Sequence, residues 1–105
     1  MWRMTCDGGG LPVEIAKDAG ALVSMLQADG WSVREFRYDA VIMGNWYVDL
    51  VREGCYLRLV RDRSQFMVSG PAIEELKRAG LWNAFDDSAK FYKAVANWAL
   101  NRPCV

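Results

Sequence analysis

Histidine is absent from this chain of 105 residues, and its absence removes a large class of catalytic sites. Histidine is the commonest general base near neutral pH and the commonest metal ligand. Without it, neither a Ser-His-Asp triad nor a Cys-His pair can form. The chain also lacks a P-loop, a GxSxG elbow, an HExxH motif and an EF-hand loop. We therefore expect no enzymatic activity, no bound metal ion and no cofactor.

The chain also lacks an excess of charge of either sign and any long apolar run. It has 13 Lys and Arg residues against 13 Asp and Glu residues, for a formal net charge of zero. A general nucleic-acid binder usually carries a basic excess, so the balance argues against that class. No apolar run approaches the roughly 18 residues of a membrane helix or forms the core of a signal peptide. These absences predict a cytoplasmic protein outside the membrane.

Cysteine is scarce and odd in number. Cys6, Cys55 and Cys104 are far apart, and no CxxC pair is present. A secreted disulfide scaffold of this size would carry an even number, at least four. The spacing predicts three free thiols in a reducing compartment, with Cys55 buried inside an apolar strand.

The ends of the chain have helical periodicity. Apolar residues recur at helical spacing from Val13 to Asp29, which predicts a first helix that has Pro12 as its first residue. Gly30 and Gly80 are each followed by large apolar residues, a pattern typical of a helix C-cap. A second helix is expected with Pro71 at its first position. A third is expected from the N-cap Asp86 through Leu100.

The middle of the chain alternates with a period of two. This pattern predicts four strands, Ser32–Tyr38, Trp46–Arg52, Cys55–Arg61 and Gln65–Ser69. Their short connections favour an antiparallel meander. The element order α-β-β-β-β-α-α predicts an α+β fold, a two-layer domain with helices packed on one face of the four-stranded sheet. We expect a flexible N-terminal arm at 1–10, one domain at 11–101 and a tail at 102–105.

The sheet face opposite the helices carries the chemistry that the sequence offers. Tyrosine and arginine are enriched at protein interfaces, and they alternate with acids on this face. The predicted contact residues are Tyr47, Asp49, Glu53, Tyr56 and Arg58. The first strand adds either Arg34, Phe36 and Tyr38 or Glu35 and Arg37. The same pattern is compatible with a solvated face whose acids and arginines pair across strands.

Two segments and a later motif carry a resemblance. The segments are GNWYVDL at 44–50 and LRLVRDRSQF at 57–66, and Gly80-Leu81-Trp82 with Phe85-Asp86 follows. Over roughly two-thirds of its length, the chain resembles small bacterial immunity proteins of polymorphic and contact-dependent growth inhibition toxin systems. The resemblance implies an antitoxin that binds one cognate toxin domain, often a nuclease, stoichiometrically. We expect this cytoplasmic protein to be a monomer or weak dimer.

A second interpretation stays open, that of a nucleic-acid-binding regulatory domain. Six arginines between Arg34 and Arg63 are interleaved with tyrosines, as on an RNA-binding sheet. The acids in the same stretch argue against it. If the partner is a nuclease, the zero net charge requires inhibition by a local acidic patch or at an exosite. The acids available for such a patch are Asp39, Asp49, Glu53 and Asp62.

Overall fold

The computed structural model describes residues 11–41 and 44–100, and over these residues the fold is α+β, as predicted. The elements are α1 Val13–Ala28, β1 Ser32–Asp39, β2 Asn45–Arg52, β3 Cys55–Asp62, β4 Gln65–Ser69, α2 Ile73–Arg78 and α3 Ser88–Leu100. Their order is the predicted one, and each strand lies within one residue of its expected bounds. The predicted arm at 1–10 and tail at 102–105 lie outside the described residues.

The four strands form one antiparallel sheet in the order β1-β2-β3-β4, which confirms the predicted meander. Two-residue turns connect β2 to β3 and β3 to β4. Glu53 and Gly54 have φ angles of 33° and 88°, and Arg63 and Ser64 have φ angles of 54° and 68°. Two consecutive positive φ angles are typical of the type I′ turn, whose twist matches that of the strands. The turns therefore set the register of the two hairpins.

One face of the sheet, which we call the inner face, packs against the helices. Its predicted apolar residues are all buried: Trp46, Val48, Leu50, Leu57, Leu59, Phe66 and Val68. Helix α3 closes over β4, where the rings of Phe91 and Phe66 stack with centroids 5.6 Å apart. Helix α1 is tied to β2 by the indole N–H of Trp46, which donates to Asp18 over 3.2 Å. The inner face and the helices therefore enclose one core.

The two predicted glycine caps are present. Gly30 has a φ of 101°, and the N–H of Trp31 reaches back to the carbonyl of Leu26 over 3.0 Å. The N–H of Leu81 donates to Leu76 in the same way, over 2.8 Å. This is the Schellman arrangement, in which glycine adopts the conformation that other residues disfavour. Trp31 and Leu81 are both buried, so each cap turns an apolar residue into the core.

The predicted helix starts are shifted by one or two residues. Pro12 is the residue before α1 and not its first residue, because its ψ of 148° is extended. Pro71 lies two residues before α2, which begins at Ile73 after an extended Ala72. Both prolines thus precede their helices instead of opening them.

The predicted N-cap of α3 is also wrong by one residue. The carboxylate of Asp87, not that of Asp86, accepts the N–H of Ala89 over 2.7 Å. Phe85 forms an antiparallel bridge with Phe66, and the side chain of Asp86 accepts a hydrogen bond from Gln65. Because the chain is still held beside β4 at Phe85, the helix starts only after Asp87.

Cys55 is buried at the start of β3, with 6% of its surface exposed, as expected. It is disulfide-bonded, so the prediction of three free thiols is wrong. The other two cysteines, Cys6 and Cys104, lie outside the described residues. None of the helices in the described part of the chain is long and apolar enough to span a membrane.

Candidate functional site

The sheet face turned away from the helices, here called the outer face, holds the candidate site. Along each strand, the outer-face side chains alternate with the buried side chains of the inner face. The register of the four strands brings these outer-face side chains next to each other. They are Glu35 and Arg37 on β1, Tyr47, Asp49 and Val51 on β2, Tyr56, Arg58 and Val60 on β3, and Met67 on β4. All of these except Asp49 are half-buried or exposed.

The first strand contributes Glu35 and Arg37 to the outer face, and a bulge explains why. The pairing with β2 shifts between Val33 and Glu35, so Arg34 is an extra residue on β1. Phe36 and Tyr38 pair with Val48 and Trp46 and pack against the core. The sequence left open which of the two alternating sets of β1 residues lies on the outer face. A bulge exchanges the two sets along a strand, and it has no reliable sequence pattern of its own.

Asp49 is the centre of the site. It is only 4% exposed, although it lies on the face away from the core. The guanidinium of Arg58, directly opposite on β3, donates to both carboxylate oxygens, with Nε to Oδ1 at 2.6 Å and Nη2 to Oδ2 at 3.0 Å. The hydroxyl of Tyr56 donates to Oδ1 over 3.2 Å. Three donated hydrogen bonds compensate the burial of this carboxylate.

Arg58 also contacts Tyr47. Its Cζ atom lies 4.0 Å from the centre of the Tyr47 ring, within the range of a cation–π interaction. The hydrogen bonds to Asp49 raise the pKa of the Arg58 guanidinium, so this group stays charged. One cation therefore joins the buried carboxylate to the aromatic face of Tyr47.

Tyr47 is anchored at its other end by Glu35. The Tyr47 hydroxyl donates to Glu35 Oε2 over 2.6 Å, linking β2 to β1. This hydrogen bond raises the pKa of Tyr47, because the phenolate could not donate it and would face the negative carboxylate. Glu35 was not among the predicted contact residues, since its facing depends on the bulge.

Gly70 fixes the position of Tyr56 and was missed as a site residue. A β-carbon built on Gly70 would lie 2.7 Å from Cε2 of Tyr56, and its φ is 107°. Both the space and the conformation require glycine. The sequence showed Gly70 only as the residue that ends the sheet, because its contact with Tyr56 joins β3 to the chain after β4.

Glu53 is the predicted contact residue that the structure separates from the others. It lies in the β2–β3 turn with an exposed side chain. Among the described residues it forms no hydrogen bond or ion pair with the other four predicted residues. The candidate site is therefore a cluster of four residues, supported by Glu35 and Gly70. The four are Tyr47, Asp49, Tyr56 and Arg58.

A shallow concavity of about 300 Å³ lies at the end of the outer face nearest the β1–β2 connection. Its outer-face lining mixes charges of both signs with an aromatic ring: Arg37, Asp39, Asn45, Tyr47, Arg58, Val60 and Asp62. Asn45 donates to Asp62 over 3.1 Å and holds that carboxylate at the rim. Such a lining suits a polar side chain of a partner better than an apolar ligand.

Two arginines pair with acids of the sheet region, as the cross-strand expectation has it, and two others pair with acids in or directly after α1. Arg58 pairs with Asp49, and Arg63 lies 3.8 Å from Asp62 at the surface. Arg61 faces the helix side, where its Nε is 3.6 Å from Asp18. Arg52 forms an ion pair with Asp29. The outer face therefore contains fewer of the chain's arginines than their density in the sequence suggests.

Residues 11–41 and 44–100 contain no group of three Cys, Asp or Glu side chains placed to hold a metal ion. The chain matches no protein-family model, no curated protein and no solved structure.

Proposed function

We propose that this chain is an immunity protein that binds a bacterial toxin domain, one to one, through its outer face. The proposal rests on the cluster around buried Asp49, which accepts hydrogen bonds from Tyr56 and Arg58. The ring of Tyr47 lies against the Arg58 guanidinium. The resemblance of residues 44–50 and 57–66 to immunity proteins supports the same class.

The cluster favours binding because its side chains are already ordered. A partner that orders a flexible side chain loses about 0.5–1.5 kcal/mol of binding free energy for each one. Here Asp49 orients Arg58 through two hydrogen bonds and Tyr56 through a third. Tyrosine and arginine are also the side chains that most often contribute large shares of interface energy. The outer face thus presents them at a reduced entropic cost.

The charges around the cluster favour recognition by a local pattern. Arg37, Asp39 and Asp62 surround the concavity, and the chain as a whole has no net charge. Long-range steering is therefore weak, and affinity depends on matched contacts. A toxin with a basic side chain at its active site would find its counter-charges in Asp39 and Asp62.

The outer face is less suited to nucleic acid. The guanidinium of Arg58 already donates two hydrogen bonds to Asp49, and the charge of that carboxylate offsets the attraction of Arg58 for a phosphate. Glu35, Asp39 and Asp62 on the same face would repel the phosphate backbone. The structure therefore favours a protein partner over the nucleic-acid alternative.

If the proposal holds, the neighbouring open reading frame encodes a toxin domain. The test uses that domain, with growth protection in co-expressing cells and calorimetry on the purified pair. Val60→Arg adds a long charged side chain to the middle of the outer face without changing the Asp49–Arg58 pair. Ala21→Arg adds the same side chain to the exposed side of α1. We expect Val60→Arg to weaken binding at least 100-fold and to abolish protection, and Ala21→Arg to retain both.

Equal binding by both variants would contradict the use of the outer face. No binding by the native chain to the toxin domain would contradict the immunity function. Binding of labelled RNA or DNA at low salt, with a steep loss as salt rises, would favour the nucleic-acid alternative instead.

A cytoplasmic location is part of this proposal, and the Cys55 disulfide weighs against it. Cytoplasmic thiols are kept reduced, so structural disulfides are rare there. Quenching the cells with acid preserves the thiol state, and alkylation in denaturant then reaches the buried Cys55. A Cys55 that reacts without a reductant supports the cytoplasm, and one that reacts only after reduction supports an oxidising compartment.

A further inference from the structure

We propose that the outer edge of β1, the one away from β2, pairs antiparallel with β1 of a second copy of this chain, around a two-fold axis at Phe36. The pairing would join two four-stranded sheets into one continuous sheet of eight strands. This surface is separate from the outer face, and the proposal does not depend on the proposed function.

The two edges of the sheet differ in how far the described residues cover them. The sheet has two outer strands, β1 and β4. On β4, Phe66 exchanges two backbone hydrogen bonds with Phe85, with N···O distances of 2.8 and 2.7 Å, so that edge is partly covered. On β1, no backbone hydrogen bond from another described residue reaches the edge away from β2. This edge strand of eight residues is thus uncovered within 11–41 and 44–100, and such an edge is a template for another strand.

The backbone N–H and C=O groups of Phe36 and Tyr38 face the edge of β1 away from β2. Phe66 directs its backbone N–H and C=O toward Phe85, away from β3, so Arg61, its partner on β3, directs its own groups toward β2. Trp46 pairs with Arg61 and therefore directs its N–H and C=O toward β3. Tyr38, which pairs with Trp46, must therefore direct its backbone groups away from the sheet. Phe36, two residues earlier, does the same. A two-fold axis at Phe36 lets the two Phe36 residues exchange two hydrogen bonds.

The charged side chains of β1 complement each other in this pairing. Pairing around Phe36 places Glu35 opposite Arg37 of the second copy, and Arg37 opposite its Glu35. Both side chains are exposed on the outer face. Oppositely charged residues that face each other across strands stabilise the pairing, and like charges destabilise it. Edge charges commonly prevent association, but in this register the charges of β1 attract each other.

Other registers fit less well. An axis at Arg37 would place Arg37 opposite Arg37 and Glu35 opposite Asp39, and an axis at Glu35 would place Glu35 opposite Glu35, so both registers bring like charges together. An axis at Tyr38 keeps opposite charges together, since Arg37 would face Asp39. Because β1 ends at Asp39, that register pairs only three residues. The Phe36 register pairs residues 34–38, from the bulge to Tyr38, so its ladder is longer than that of the Tyr38 register and keeps opposite charges facing each other.

The bulge between Val33 and Glu35 limits the ladder, and edge pairing alone buries little apolar surface. We therefore expect a weak dimer, with a dissociation constant in the range of about 10 µM to 1 mM. In it, the two outer faces lie side by side on the same side of the joined sheet.

The experiment measures molecular mass by sedimentation of the purified chain, without toxin, from about 10 µM to 1 mM. Arg37→Glu makes all four facing charges negative, and we expect the dissociation constant to rise about tenfold or more. Arg63→Glu, in the β3–β4 turn, makes the same change of charge away from β1 and should leave it unchanged. The double variant Glu35→Arg/Arg37→Glu restores opposite charges in exchanged positions and should restore the dimer.

A chain that stays monomeric over the whole range overturns the proposal. So does a dimer that Arg37→Glu and Arg63→Glu weaken equally, or one that the double variant fails to restore. Circular dichroism of each variant establishes that it is folded. Because no toxin is present, these outcomes are independent of whether the chain is an immunity protein.

Discussion

Arg58 lies between Asp49 and Tyr47, with its Nε 2.6 Å from the Asp49 carboxylate and its Cζ 4.0 Å from the centre of the Tyr47 ring. This arrangement accounts for a buried carboxylate on the sheet face that no described helix covers. It also means that the same side chain supports the local structure and forms part of the proposed binding surface.

Replacing Arg58 should therefore reduce stability as well as binding. In Arg58→Ala, Asp49 loses the one cationic partner that it has among the described residues, and removing one member of a buried pair is costly. The Arg58 side chain is 36% exposed, so water can partly replace it. We expect the free energy of unfolding, from urea titration, to fall by about 1–3 kcal/mol.

Arg63→Ala is the matched control, because Arg63 and Asp62 form an exposed pair at 3.8 Å. It should change the free energy of unfolding by less than about 0.5 kcal/mol. In Asp49→Ala/Arg58→Ala, no buried charge remains, so this variant should be more stable than the two single changes predict together. Purely additive losses would show that the pair contributes nothing as a pair.

Gly70→Ala should destabilise the chain and displace Tyr56. Its β-carbon would lie 2.7 Å from the Tyr56 ring, at a φ of 107° that alanine disfavours. We expect the free energy of unfolding to fall by about 1–3 kcal/mol. Gly20→Ala, inside α1, meets only Ala16 Cβ at 3.4 Å and should stabilise by up to about 1 kcal/mol. The same sign for both substitutions would refute this account of Gly70.

The hydrogen bond between Tyr47 and Glu35 should be visible in a pH titration. It raises the pKa of Tyr47, so its stabilising contribution is complete below the ordinary tyrosine pKa of about 10 and is lost as the pH rises through the higher folded value. Glu35→Gln removes the negative charge and should return the Tyr47 pKa toward its ordinary value. Ring resonances followed by NMR, assigned with Tyr47→Phe, give the midpoint.

Glu53→Gln is the control for that titration, since Glu53 is exposed in the β2–β3 turn. It should leave the Tyr47 midpoint in place. A midpoint that Glu35→Gln does not lower would mean that the hydrogen bond is not maintained in solution.

Reduction of the disulfide at Cys55 should lower the free energy of unfolding. Pairing with either remaining cysteine, Cys6 or Cys104, closes a loop of about 50 residues. In the chain-entropy account such a loop contributes about 4 kcal/mol. Urea titration with and without a reductant measures the loss, and mass spectrometry of a non-reduced digest identifies the partner. Identical curves, or a free Cys55 in the digest, would be contrary to this expectation.

The strands were predictable because their signals are local. Over residues 46–50 and 55–59, buried apolar residues alternate with Tyr, Asp or Arg, and the turns on both sides of β3 have two residues each. Burial of one face then admits only one phase. The helix starts were less predictable, because Pro12, Pro71 and Asp86 can each occupy more than one position near a helix N-terminus. The bridge between Phe66 and Phe85, which is remote in sequence, selected Asp87 as the cap of α3.

The candidate site was predictable as a face but not as a cluster. Alternation alone placed Tyr47, Asp49, Tyr56 and Arg58 on the same side of the sheet. It could not show that Asp49 is buried there, because that burial comes from side chains on two neighbouring strands. It also grouped Glu53 with them, since the alternation gave no reason to separate a turn residue from the strand that precedes it.

By itself, the sequence determined the class of the molecule. Its alternating and helical periods specify an α+β meander, because each element can bury only one face, and its lack of histidine removes the commonest catalytic groups. Only the tertiary structure decided the phase of β1, through a bulge at Arg34, and the state of Cys55, through a disulfide. It also decided the pairing of Asp49 with Arg58. The bulge and the disulfide depend on contacts outside any tight hairpin, and local patterns contain no record of such contacts. Asp49 and Arg58 lie only nine residues apart, but the sequence offered several acids and arginines for cross-strand pairs and did not select this one.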